Sequence, residues 1–87
     1  MAALLQTRVE PKYPQEAKDA HIQGNVILNV IISTTGEVEV ARLVTGDPLL
    51  APAAIEAVKQ WKYKPFLLNR EPIEVDTQVE VQFRLSH

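Results

Sequence analysis

Residues 73–85 read Ile-Glu-Val-Asp-Thr-Gln-Val-Glu-Val-Gln-Phe-Arg-Leu, and this stretch decides the fold. Its odd positions carry Ile, Val, Thr, Phe or Leu, and its even positions carry charged or amide side chains. An alternation of period two predicts a β-strand with one apolar and one polar face. At ~3.3 Å per residue the strand would reach roughly 40 Å, so we expect part of it to extend past its neighbours. Backbone N–H and C=O groups along an unpaired edge would then be available to a partner.

Two more strands are predicted upstream. Residues 25–33 are mostly apolar on both alternating faces, which favours a central strand that is covered on both sides. A turn at residues 33–36, with Gly36 at the position that needs a positive φ, leads into a second strand over residues 37–45. These two strands therefore form an antiparallel hairpin.

Two helices flank the hairpin in sequence. The first is predicted over residues 14–21, because Pro14 suits the first turn of a helix. The second begins near Leu49 and runs to about Lys62, with one apolar stripe made by Leu50, Ala54, Ala57, Val58 and Trp61. We expect Trp61 and Tyr63 to be core residues rather than a stacking platform. Residues 67–72 are expected to form a loop, with Asn69 as the turn residue.

The element order is helix, strand, strand, helix, strand. A right-handed crossover through the second helix places the third strand beside the first and antiparallel to it, so the strand order is 2-1-3. Both helices then cover one face. The predicted fold is a two-layer α+β domain with a three-stranded antiparallel sheet. We expect this single domain to occupy residues 8–87, after a flexible arm at residues 1–7.

Composition excludes several classes of function. The net charge is −2, so the basic excess of a nucleic-acid-binding protein is missing, and the chain has no cysteine. Its two histidines, His21 and His87, lie far apart in sequence, and no ligand spacing typical of a metal site is present. A Gly-x-Ser-x-Gly elbow and a phosphate-binding loop are also missing. We therefore expect no metal, no cofactor, no nucleic-acid partner and no enzymatic activity.

Acidic residues recur on two of the predicted strands. Glu37 and Glu39 lie two residues apart, and the last strand carries Glu74, Asp76 and Glu80. Paired carboxylates can serve as acid and base in catalysis. More often such a row is the solvated face of a half-buried sheet that guards an edge against unwanted pairing, and we expect that role here.

The order and spacing of several short motifs resemble one family. The motifs are Pro11-x-Tyr13-Pro14, Gly24-x-Val26, Gly36-x-Val38, Ala57-Val58-x-x-Trp61-x-Tyr63-x-Pro65 and x-Val81-x-Phe83. Over roughly residues 8–85 the chain is similar to the C-terminal domain of TonB. The resemblance implies a periplasmic receptor-binding domain in a protein anchored in the inner membrane and driven there by proton-powered motor proteins. It implies energy transfer to outer-membrane receptors for siderophores, vitamin B12 and similar nutrients.

The resemblance also implies where partners bind. In the family a short receptor segment, the TonB box, adds as a strand to the edge of the last strand, which is β-augmentation. Its expected contacts on that strand are Val75, Thr77, Val79, Glu80, Val81, Gln82, Phe83 and Arg84. Arg8 and Glu10, which precede Tyr13, are expected to flank the added strand. Glu10 stands where familiar members tend to have Gln, and a carboxylate lacks the donor of an amide, so receptor choice is expected to differ.

A second hypothesis uses the same fold without energy transfer. In it the domain is an interaction or oligomerisation module of an envelope assembly, and its free edge pairs with a second copy to give a homodimer by strand exchange. The receptor, the nutrient, the engagement of a motor, the oligomeric state and any segment before residue 1 all stay open from sequence.

Overall fold

The computed structural model describes residues 5–85. The helices are α1 (Gln15–Asp19) and α2 (Ala51–Lys59). The strands are β1 (Leu5–Thr7), β2 (Gly24–Ile32), β3 (Val38–Thr45), β4 (Lys62–Tyr63), β5 (Phe66–Leu68), β6 (Glu71–Ile73) and β7 (Val75–Phe83). The predicted α+β class, with a three-stranded antiparallel sheet and two helices, is confirmed.

The main sheet has the strand order β3-β2-β7, which confirms the predicted order 2-1-3. β2 pairs with β7 without a register shift, from Gly24 opposite Phe83 to Ile32 opposite Val75. The expectation that the last strand extends past its neighbours is wrong, since β7 has nine residues and each has a partner on β2. The chain departs from this strand at Glu74, because the preceding residue, Ile73, pairs with Phe66 in a separate hairpin.

The core lies on one face of this sheet. Alternate residues of β2, namely Val26, Leu28, Val30 and Ile32, are all buried, and their neighbours on that face of β7 include the buried Val81 and Phe83. Ala17 of α1 and the buried residues Ala54 and Val58 of α2 pack into the same cluster. Both helices therefore cover one face, as predicted.

The opposite face of β2 is only half-buried at Ile27, Asn29 and Ile31. The expectation that both faces of this strand are covered is therefore wrong, although its central position is confirmed. Both helices contribute their buried residues to the same core, so in residues 5–85 no further layer lies on the second face. We refer to this second face as the open face.

Residues 67–72 belong to a second hairpin rather than to a loop. β5 and β6 pair with each other, with Leu68 opposite Glu71. The two residues between them, Asn69 and Arg70, have φ angles of 52° and 69°. Positive φ at both central positions is the geometry of a type I′ turn, whose twist matches that of the flanking strands. Asn69 is thus the turn residue that was expected, but Arg70 gives no such signal in the sequence.

Trp61 and Tyr63 are buried, as expected for core residues. Trp61 lies beyond α2, which ends at Lys59, rather than on its last turn. β4 then passes close to the turn before β3, where the N–H of Tyr63 donates to the carbonyl of Gly36 at 2.8 Å. A Cβ on Gly36 would lie 1.9 Å from the carbonyl oxygen of Tyr63, and the φ of Gly36 is 90°. Glycine is needed here for both space and conformation.

The segment before α1 also pairs with β4. In β1, Leu5 lies opposite Tyr63 and Thr7 opposite Lys62. The sequence pattern gave no strand here, because three exposed residues carry no periodicity. Residues 1–4 of the expected arm and residues 86–87 of the expected domain lie outside the described residues. The division into arm and domain stays a prediction.

Two general properties bear on function. Neither described helix is long and apolar enough to cross a membrane. Across residues 5–85, no group of three or more His, Asp or Glu side chains is placed to hold a metal ion.

Candidate functional site at the free edge of the last strand

β7 lies at the end of the three-stranded order, so one of its edges has no strand beside it in residues 5–85. We call this the free edge. In an antiparallel sheet the backbone groups of successive residues point alternately to the two sides of the strand. Only every second residue of β7 can therefore present its N–H and C=O at the free edge, and the hydrogen bonds of β2 identify which ones.

The N–H of Ser33 donates to the carbonyl of Glu37 at 2.7 Å, so the backbone of Ser33 faces the β3 side. The preceding residue, Ile32, must then face β7, where its partner is Val75. Because the β2–β7 register is regular, the odd-numbered residues of β7 bond to β2. Beyond the strand, the N–H of Leu85 donates to the side-chain carbonyl of Gln23 at 2.8 Å. This bond shows independently that the odd-numbered residues face the β2 side.

The even-numbered residues therefore present their backbone N–H and C=O groups at the free edge. They are Asp76, Gln78, Glu80 and Gln82. No backbone hydrogen bond found among residues 5–85, outside the paired strands and helices themselves, uses these outward groups. A row of unused donors and acceptors on an edge strand is a template for a further strand.

The predicted contact residues on this strand fall into two sets. Val81 and Phe83 are 0% and 2% exposed, because their side chains lie in the core. Their backbone groups bond to β2 and not at the free edge. Val75, Thr77 and Val79 are half-buried on the helix-covered face. Glu80, Gln82 and Arg84 are exposed. The odd-numbered residues hold the strand in place, while the even-numbered ones can meet a partner directly.

Asp76 and Gln78 were not among the contacts expected from the sequence, where Asp76 was noted only as part of an acidic row, yet both present backbone groups at the free edge. The alternation of side chains shows that they face away from the core, and this signal is visible in the sequence. The direction of their backbone groups is not visible there, because it depends on which neighbouring strand bonds to which residue.

Carboxylates concentrate beside this edge. Asp76 and Glu80 lie on the open face, and Glu80 accepts long hydrogen bonds from Asn25 at 3.5 Å and Gln82 at 3.4 Å. At the start of the strand, a side-chain hydrogen bond with Glu74 raises the pKa of Glu39, with smaller contributions in the same direction from desolvation and charge repulsion. The ion pair between Arg8 and Glu10 is the one found among residues 5–85, so no cation pairs with this row.

The other two predicted contacts, Arg8 and Glu10, lie near Trp61 and α2. The guanidinium carbon of Arg8 lies 5.5 Å from the centre of the Trp61 ring, and its Nε lies 3.7 Å from Oε1 of Glu10. Glu10 lines a groove of about 440 Å³ between the segment before α1 and the exposed side of α2. Tyr13 brings this segment to β7, because its ring packs perpendicular to that of Phe83 with centroids 5.4 Å apart. A direct role for Arg8 and Glu10 beside an added strand stays a prediction.

A small two-layer α+β domain with an edge strand whose outer backbone groups are unpaired has the architecture of a strand-accepting interaction module. Residues 9–85 match the family described as Gram-negative bacterial TonB protein C-terminal, and the chain belongs to this family. The family resemblance drawn from the sequence is confirmed.

One curated relative and one solved structure show how far the similarity extends. The chain is 31% identical over 86 residues to Protein TonB of Vibrio cholerae, and it spans about a third (35%) of that protein's length. The solution structure of the Pseudomonas aeruginosa TonB C-terminal domain matches with a TM-score of 0.78 and 16% identity, over 95% of this chain and 86% of that one. At that identity the structural match shows the shared fold.

Proposed function

We propose that this domain binds TonB-box peptides of outer-membrane receptors by adding them as a strand to the free edge of β7. The observation that carries the proposal is the row of outward backbone groups at Asp76, Gln78, Glu80 and Gln82, parallel to a regularly paired β2–β7 ladder. A backbone ladder supplies affinity that depends little on sequence, and alternate side chains supply selectivity.

The proposal includes the cellular setting that the family suggests. The domain works in the periplasm as part of a protein anchored in the inner membrane, and it transmits energy from proton-driven motor proteins to receptors for siderophores or vitamin B12. It acts as an interaction module without catalysis. An added strand suits this work, because a load along the strands is shared by several hydrogen bonds that must break together.

Substitutions at Gln78 test the proposal. Gln78→Pro removes one outward N–H, and proline is tolerated on an edge strand because that N–H has no partner within the sheet. Gln78→Ala removes the same side chain but keeps the N–H, and it is the matched control. In titrations with receptor TonB-box peptides followed by backbone amide shifts, we expect shifts along residues 75–84 and weaker binding by Gln78→Pro alone.

Equal binding by the two variants would contradict strand addition at this edge. A saturating response confined to residues far from β7, such as the groove beside α2, would place the peptide elsewhere. A second titration series with Arg8→Ala and Glu10→Gln tests the expected flanking contacts. Unchanged affinity in both variants would remove these two residues from the site.

Self-association through the same edge is the second candidate, since the free edge is equally open to a second copy. The charged side chains along this edge disfavour one such dimer. If two copies paired antiparallel about Gln78, Asp76 of each copy would lie directly opposite Glu80 of the other, and like charges directly opposite are destabilising. A free-standing dimerisation module is therefore the weaker proposal.

A further inference from the structure

We propose that Asp76 and Glu80 make the free edge selective for a strand with basic residues at two positions four residues apart. This inference rests on the proposed strand addition and specifies the chemistry of the guest peptide. It starts from the geometry of the edge, where each outward-facing residue of β7 also presents an exposed side chain on the open face.

Residues that lie opposite each other on paired strands have their side chains on the same face of the sheet. Guest residues opposite Asp76, Gln78 and Glu80 therefore extend over the open face. The guest residues between them extend over the helix-covered face, where Val75, Thr77 and Val79 are only half-buried. Parallel and antiparallel addition give the same alternation, so this assignment is independent of the direction of the guest.

The charges that β7 presents on the open face point to the ligand. Asp76 and Glu80 have no ion-pair partner among residues 5–85, and Glu39 and Glu74 extend the row of carboxylates at the start of the strand. A guest with Lys or Arg beside Asp76 and Glu80 would form two cross-strand charge pairs. Gln78 lies between them and is neutral, so a polar guest residue suits the position opposite it. An acidic guest would be repelled at both positions.

The helix-covered face defines the other half of the pattern. Val75 and Val79 pack against the core cluster, and the half-buried Thr77 lies between them on the same face. Guest side chains from the adjacent strand would cover all three. Val and Thr at alternate guest positions suit a pleated, half-buried surface. The preferred guest therefore alternates β-branched residues with polar ones, and two of the polar residues, four positions apart, are basic.

Designed peptides test this selectivity without knowledge of the natural receptor. The basic peptide has nine residues, the length of β7, with Val or Thr at alternate positions and Lys at two intervening positions four apart. The acidic peptide has Glu at those two positions. Fluorescence anisotropy at low ionic strength should show the basic peptide bound about tenfold more tightly, since favourable and repulsive cross-strand charge pairs add over two positions.

Protein variants assign the preference to the two carboxylates. D76N combined with E80Q should bind both peptides with nearly equal affinity, and D76K combined with E80K should prefer the acidic peptide. Glu56→Gln, which removes one negative charge from the exposed surface of α2, should keep the original preference. Both altered positions on β7 are exposed, and circular dichroism checks that each variant is folded.

The outcomes separate this inference from the proposed function. If Gln78→Pro weakens binding of both peptides while the original protein binds them equally, strand addition stands and the charge selectivity is wrong. The selectivity is also wrong if the Glu56 variant loses the preference as fully as the D76N and E80Q pair. If neither peptide binds, or Gln78→Pro binds both as well as Gln78→Ala does, the proposed strand addition itself is wrong.

Discussion

The indole N–H of Trp61 donates a 2.8 Å hydrogen bond to the backbone carbonyl of Val9, which lies 52 residues earlier in the chain. Trp61 is buried just past the end of α2, so this bond fastens the segment before α1 to the core. The guanidinium of Arg8 lies over the same ring. One side chain therefore holds the N-terminal segment by a hydrogen bond and by a cation–π contact.

Trp61→Phe should lower the free energy of unfolding by roughly 1–3 kcal/mol, because a partly buried carbonyl loses its donor and part of the indole volume becomes empty. Urea denaturation followed by circular dichroism measures the loss. Arg8→Ala removes the exposed cation and keeps the hydrogen bond, and it should cost less than about 1 kcal/mol. A larger loss for the arginine variant would show that the cation, rather than the indole N–H, holds the segment.

The two faces of β2 should differ sharply in their tolerance of truncation. Leu28→Ala at a fully buried position should cost about 2–5 kcal/mol, because it leaves a cavity in the core. Ile27→Ala, one residue earlier on the open face, should cost about 1 kcal/mol or less because the side chain is only half-buried. Chemical denaturation of both variants measures the difference. Equal losses would mean that the open face is covered in solution.

Arg70 adopts a φ of 69° in the turn between β5 and β6, where residues with a Cβ are disfavoured. Arg70→Gly should stabilise the β5–β6 hairpin by up to about 1 kcal/mol. Glu71→Gly, one residue later at a strand position, should destabilise it. Hydrogen exchange of the hairpin amides detects both effects, and faster exchange in the Arg70 variant would show that the turn has another geometry.

The contact between Glu39 and Glu74 predicts a dependence of stability on pH. Because the pKa of Glu39 is raised above its ordinary value of 4.5, protonation favours the folded state. This contribution is fully present below pH 4.5 and is lost as the pH rises through the raised pKa. Glu74→Gln should therefore stabilise the protein at neutral pH and have little effect at acid pH. Urea midpoints at both pH values check the sign, with Glu56→Gln as the control; a benefit confined to acid pH would contradict it.

Charge on β7 should also limit self-association. Replacing both carboxylates, with Asp76→Asn and Glu80→Gln, removes the repulsion expected when two copies pair about Gln78. Sedimentation over a concentration series should show a greater dimer fraction for this double variant than for the original chain. A dimer that is unaffected by the two substitutions would have to form through another surface or another register.

The sequence predicted the parts of this fold that depend on local pattern. Alternation identified β7, the apolar run identified β2, and the turn at Gly36 identified the hairpin to β3. Their order, with the crossover through α2, was enough to give the arrangement β3-β2-β7. Short elements were missed, because β1 and β4 are too short to show a period and form through pairing with distant parts of the chain.

The sequence by itself determined that the last strand has one apolar and one polar face, because side chains alternate along any extended chain. Only the tertiary structure decided which backbone groups face a partner. The pairing of β2 with both of its neighbours makes the odd-numbered residues of β7 bond inward and leaves the groups of Asp76, Gln78, Glu80 and Gln82 outward. Hydrogen-bond direction is set by the neighbouring strand, and no local pattern in the sequence encodes that neighbour.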